Sequence, residues 1–282
     1  MPEPIWLRGF QMQSETKTRK GIVGYKTMLL VAVAGLVVSI AAWIYTNPLS
    51  PDSMLGMPGW PPSLGRHALF YVWAFTFFLP VMYAMYLYFN QHNAWLCPRA
   101  EIYDSKKTYK VWTTRRVVEA AVASGFYLAA SMIKLPMFQQ LDLMFLAGGF
   151  TAVFWGGPVT FVMSFVGGIL RSVVGGFANA YDLVGNTIVD GFYWMILAVF
   201  WRKFVEDAKP ARHILAIIAA IIMVQVLFFI NWFVIVSAIS WTWETYVPFV
   251  VVGAPLYAIV IFIGLPLGII AGDAAIRATK RR

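Results

Sequence analysis

Charged side chains are scarce in this sequence. They make up 12% of 282 residues, against 60% hydrophobic residues. A soluble domain carries about 25% charged residues, so an ordinary soluble surface is excluded over most of the chain. Cysteine occurs once, as Cys97. That excludes a disulfide within the chain and leaves a free thiol with no evident role. Histidine occurs at His67, His92 and His213, scattered and without ligand-like spacing, which argues against a zinc or haem site. There is no Gly-x-Ser-x-Gly, no His-Glu-x-x-His and no phosphate-binding Gly-Lys-Ser/Thr loop. The expectation is therefore a protein that is not an enzyme, has no cofactor or metal, and cannot hydrolyse ATP by itself.

What is present is a series of long apolar runs. A helical span needs about 20 apolar residues, and the runs fall at 27–45, 69–89, 117–135, 143–155, 159–174, 183–201, 214–236 and 247–271. Between them lie loops rich in Pro, Gly and Ser at 47–65, a polar linker at 90–116, and the turn signals Gly156-Gly157-Pro158 and Gly175-Gly176. The runs at 143–155 and 159–174 are short and could form a tilted hairpin. Pro80, Pro255 and Pro266 lie inside runs, which membrane helices tolerate where neighbours satisfy the freed carbonyls. The first run is long and lacks an Ala-x-Ala-like end, so it reads as a retained helix rather than a cleaved signal.

Basic residues give the orientation. With the N-terminus inside and the runs alternating, four inner segments hold nineteen of the twenty-two Lys and Arg residues. Arg66, Lys134 and Arg171 alone fall on the outer half. So lopsided a split is the positive-inside signature. It accounts for the net charge of +9 without nucleic acid, and dropping one span would put a basic cluster outside. The fold class expected is an all-α, polytopic membrane bundle of about eight transmembrane helices in the plasma membrane, with both termini cytoplasmic.

Polar residues inside the runs are the candidates for function. Asp182, Asn186 and Asp190 recur every four residues and Trp194 continues their face. Asp190 would sit about 12 Å below Asp182 at 1.5 Å per residue, where an acid is costly unless it faces protein or water. A substrate pocket open to the outside would supply such acids, an amide and a ring. The alternative is an interhelical hydrogen bond, to Asn231 or Arg171. Arg171 itself could fix a carboxylate or phosphate, pair with Asp182, or snorkel to the surface. Two small-residue stripes, Ala121/Gly125/Ala129 and Gly264/Gly268/Gly272, would admit a partner helix closely, whether internal or external. The segment Ser240–Tyr246, with Trp241, Trp243 and Glu244, reads as an interfacial aromatic belt or as a lid.

From Arg115-Arg116 through the Ala-rich run to Ile133-Lys134-Leu135-Pro136, then Asp142, Gly157-Pro158, Gly167-Gly168 and a basic turn at Arg202-Lys203, the chain resembles the substrate-binding S-components of energy-coupling factor (ECF) transporters. The resemblance covers about residues 110–282. It implies a six-helix membrane domain at 109–282, preceded by a basic segment, two extra helices and a cytoplasmic linker at 1–108. It also implies capture of a small water-soluble nutrient, a vitamin or precursor, and transport through a transmembrane coupling subunit and separate ATPases. Ala121, Gly125 and Ala129 would match the family's contact with the coupling subunit. Gln139, Gln140 and Asp142 would match its first lid, and Trp241, Trp243 and Glu244 a later one. A structural or accessory subunit of a larger membrane complex is the second reading, and the glycine-rich run is also similar to the membrane sensor region of LytS-type histidine kinases, which gives a sensor as the third.

Overall fold

The structure is a computed structural model. It describes residues 24–46, 69–91, 112–135, 138–175, 183–204, 210–239 and 254–280. Eight helices run through the described residues. They are α1 (Tyr25–Thr46), α2 (Leu69–Phe89, continuing to Gln91), α3 (Thr114–Met132), α4 (Met144–Phe154), α5 (Gly157–Val174), α6 (183–204), α7 (Pro210–Ile239) and α8 (Ala254–Lys280). Four stretches are long and apolar enough to cross a membrane: α1, α2, α5 and 258–278 within α8. These mark a membrane protein. At 11 residues α4 is shorter, about 16 Å at 1.5 Å per residue, half of a bilayer core.

Local signals explain the boundaries. Thr113 caps α3 by accepting from the Arg116 amide at 3.3 Å, and Arg115 pairs with Glu119 one turn on at 2.9 Å. The third apolar run stops being helical three residues before its expected end at Leu135. Lys134–Leu135 instead forms β1, paired antiparallel with β2, Phe138–Asp142. Pro136 explains the break, because the residue before a proline is pushed from helical to extended backbone.

The turn between α4 and α5 follows from three residues. Gly156 has φ 72°, ψ −167°, a region open to glycine and costly for any other residue. Gly157 lies under the Phe89 ring, where a Cβ would collide. Pro158 sits in the first helical turn, where its missing N–H is no loss.

The two strongest helix seams are built on small residues. Gly268 of α8 lies on the α4 backbone, where a Cβ would strike the Leu146 carbonyl oxygen and stand 2.9 Å from the Phe150 nitrogen. Gly272 stands 3.1 Å from the Phe150 oxygen by the same measure, and Gly149 answers from α4 against Leu265. Such close approach maximises dispersion contact where lipid offers no hydrophobic drive. At the other seam Gly35 of α1 meets the Thr76 backbone of α2, and Ser39 and Thr76 share a hydrogen bond of 3.0 Å.

The core is largely aromatic, with Trp194, Trp201, Tyr193, Tyr127, Phe70, Phe78, Phe89 and Phe145 fully buried. Phe70, Phe78, Met82 and Phe89 of α2 lie inside that core, Phe78 against Phe192 of α6 and Met82 against Gly191. So α2 shares this core with α6.

Candidate functional site

Three helices depart from α-geometry by a single π turn each: Ala74–Phe78 in α2, Met163–Gly167 in α5 and Gly185–Val189 in α6. The turn in α6 packs against the other two. Such turns displace the helix face by one residue and recur at functional sites. In and just beyond two of them lies the main polar cluster of the described bundle.

Gly168 makes the cluster possible. It brings α5 into backbone contact with α6, with the Asn186 carbonyl against the place its Cβ would take. Arg171 and Ser172, three and four residues on, then face Asn186 and Asp190. Arg171 Nη1 donates to Asn186 Oδ1 at 2.8 Å and to Asp190 Oδ2 at 2.9 Å. The Asn186 amide donates to Ser172 Oγ at 2.9 Å, and that hydroxyl donates to the Gly168 carbonyl at 3.0 Å. The Asn186 amide thus accepts through its oxygen and donates through its nitrogen, which fixes its orientation. The Arg171 and Asp190 side chains keep 16% and 12% of their exposure. Tyr193, fully buried one turn further on, stands close enough to Asp190 to feel its charge without a hydrogen bond of good geometry.

Of the residues singled out from sequence, Arg171, Asn186 and Asp190 are brought together. Arg171 is the interhelical partner of the stripe. Trp194 is apart from them, sealed in the core with its ring over Gly148 and against Phe145 and Tyr193. Gln139, Gln140 and Asp142 lie on β2, which packs near α3 and α8. Asp182, Trp241, Trp243 and Glu244 lie outside the described residues.

The two small-residue stripes part ways. Gly264, Gly268 and Gly272 face α4 of this same chain. Ala121, Gly125 and Ala129 face outward, with nothing within 4 Å of a Cβ at Gly125.

Sequence reasoning missed Ser172, whose hydroxyl could have been found from its place beside Arg171. It also missed a second cluster. His213 of α7 is buried, its Nε2 3.5 Å from Asp273 Oδ1 of α8, and Asp273 pairs with Arg277 one turn on at 2.6 Å. Sixty residues separate His213 from Asp273, so no local pattern announced the contact. Among the described residues no group of three His, Cys, Asp or Glu could hold a metal ion.

No family model matches this chain, and no match was found among curated proteins or solved structures.

Proposed function

We propose that the protein is a membrane-embedded capture subunit for a small water-soluble nutrient, a vitamin or vitamin precursor, working as ECF S-components do. In this reading the chain crosses the plasma membrane eight times with both termini in the cytoplasm. Solute enters from outside at the Gly175 end of α5. Arg171 and Asp190 meet its charged or hydroxyl groups and Asn186 supplies an amide. A transmembrane coupling subunit and two ATPases complete the transporter.

The observation that carries this reading is the Arg171–Asn186–Asp190–Ser172 cluster, largely buried among apolar helices. Ionised groups at that depth are expensive and are retained where they serve binding or translocation. An exchangeable ion pair is also a natural docking point, because a ligand carboxylate can replace Asp190 on the guanidinium fork. The test is equilibrium binding of a panel of water-soluble vitamins to purified protein. Micromolar binding of one member, lost in Asp190→Ala, is expected. A panel without a binder, and no effect of Asp190→Ala, would overturn the reading.

The outward Ala121/Gly125/Ala129 face supports a second reading, a structural subunit of a larger membrane complex. It fits a coupling subunit equally well, and affinity purification separates the two. Co-purifying ATPases support transport; other enzyme subunits support the accessory role.

A further inference from the structure

The face of α6 that carries Asp190 continues with aromatic residues that bear a polar atom, interrupted by Leu197. At 100° per residue, Asn186, Asp190, Tyr193, Trp194, Leu197 and Trp201 fall within about 100° of arc, and they span about 20 Å along the axis. At one end of this stripe stands the Arg171–Asp190 pair. At the other, Trp201 lies edge-on to the His213 ring at 6.1 Å, and His213 faces Asp273 and its partner Arg277.

Along this face lie fully buried donors. The Trp194 and Trp201 indole nitrogens and the Thr151 hydroxyl of α4 lack a hydrogen-bond partner, and the Tyr193 hydroxyl stands beside the Asp190 carboxylate without a hydrogen bond of good geometry. Thr151 sits one turn beyond Gly148, which lies under the Trp194 ring, and its side points away from the Gly149 face that meets α8. Buried polar groups are nearly always satisfied, by protein or by internal water making two to four bonds. These groups lie along α6 and the facing side of α4, between two ionisable clusters, where internal water would satisfy them.

We infer that this face of α6 is a proton path between the Arg171–Asp190 pair and the His213–Asp273–Arg277 cluster. A proton reaching Asp190 forms an O–H bond on its carboxylate and leaves Arg171 to Asn186. It departs along water held by Tyr193, Trp194, Thr151 and Trp201, each link breaking one O–H bond as the next forms. It arrives on His213 Nε2 or Asp273. Only protons move, and the electrochemical gradient drives them. At the first station Arg171 from α5 pairs with Asp190, and Tyr193 on α6 itself stands beside it. At the second, His213 faces Asp273 and Arg277 of α8. The path stands on α6 and its neighbours and does not depend on the solute-capture reading.

The test is proton flux into proteoliposomes carrying an internal pH dye, driven by a valinomycin potassium potential, with no solute added. Wild-type vesicles are expected to acidify at least threefold faster than protein-free ones. Asp190→Asn and His213→Gln should fall to the protein-free rate. Trp194→Phe and Trp201→Phe keep a ring and lose only the N–H, and should slow flux at least twofold. Wild-type flux equal to protein-free vesicles, or variants conducting like wild type, would overturn the path. Should the Asp190 or His213 variants not fold, deuterium exchange at the Trp194 and Trp201 indoles of the wild type decides. Exchange within minutes supports hydration, and protection until global unfolding refutes it. Flux without binding of any vitamin would sink the capture reading alone, and binding without flux would sink only the path.

Discussion

Gly168 and Asn186 hold α5 and α6 in backbone contact, the Asn186 carbonyl oxygen occupying the place of a Gly168 Cβ. That contact sets the reach of Arg171. Any side chain at 168 must push the helices apart, and overpacking of this kind costs about 1–3 kcal/mol. Gly168→Val is expected to lower the melting temperature in detergent by several degrees. Gly125→Val, at an open surface, should leave it within a degree of wild type. Equal effects at the two positions would refute the seam.

The ion pair should behave as a buried pair does. Removing one partner leaves an uncompensated charge among apolar helices, at a cost of about 3–5 kcal/mol, whereas replacing both by apolar residues of similar volume is close to neutral. Arg171→Met and Asp190→Leu are each expected to be strongly destabilising. The double variant should regain most of the loss. Thermal unfolding of the four proteins under one detergent condition measures the coupling, and strict additivity would show that the pair contributes nothing.

The helices were legible because a hydrophobic run and a turn signal are local facts. Each apolar run overlaps a helix among the described residues, four of them long and apolar enough to cross a membrane, and Gly156-Gly157-Pro158 produced the turn its composition implied. The break at Pro136 was equally local, and reading 117–135 as one unbroken helix gave the apolar run more weight than the proline. Partners were less legible. Asn186 and Asp190 advertised themselves by their depth and spacing, but nothing in that pattern chose Arg171 over Asn231 as the interhelical partner. The choice depends on Gly168, a packing contact between helices. The same limit hid His213–Asp273. It also left the two small-residue stripes indistinguishable, although one faces α4 and the other faces outward.

Gly156 gives a backbone test. With φ 72° and ψ −167° it occupies a region where a Cβ costs about 1–3 kcal/mol. Gly156→Ala is expected to lower stability by that order. Trp155→Phe, one residue earlier in ordinary helical backbone, provides a control for side-chain loss at the same turn. If Gly156→Ala melts like wild type, the turn does not have this conformation.

The lone cysteine allows the topology to be tested without engineering. Cys97 lies in the polar linker after α2, among residues outside those described, and the linker carries Arg99, Lys106, Lys107 and Lys110 before Arg115 and Arg116 open α3. Basic residues near span ends are retained on the cytoplasmic side, so this linker should be inside. A membrane-impermeant maleimide is expected to label Cys97 in inverted vesicles and not in right-side-out vesicles. In a Cys97→Ser/Ser240→Cys variant the pattern should reverse, because an odd number of spans, five in the proposed topology, separates the two positions. Labelling of Cys97 from the outside would invert the whole arrangement. It would place the Arg171–Asp190 pair toward the cytoplasm, and a solute could then no longer be captured there from outside the cell.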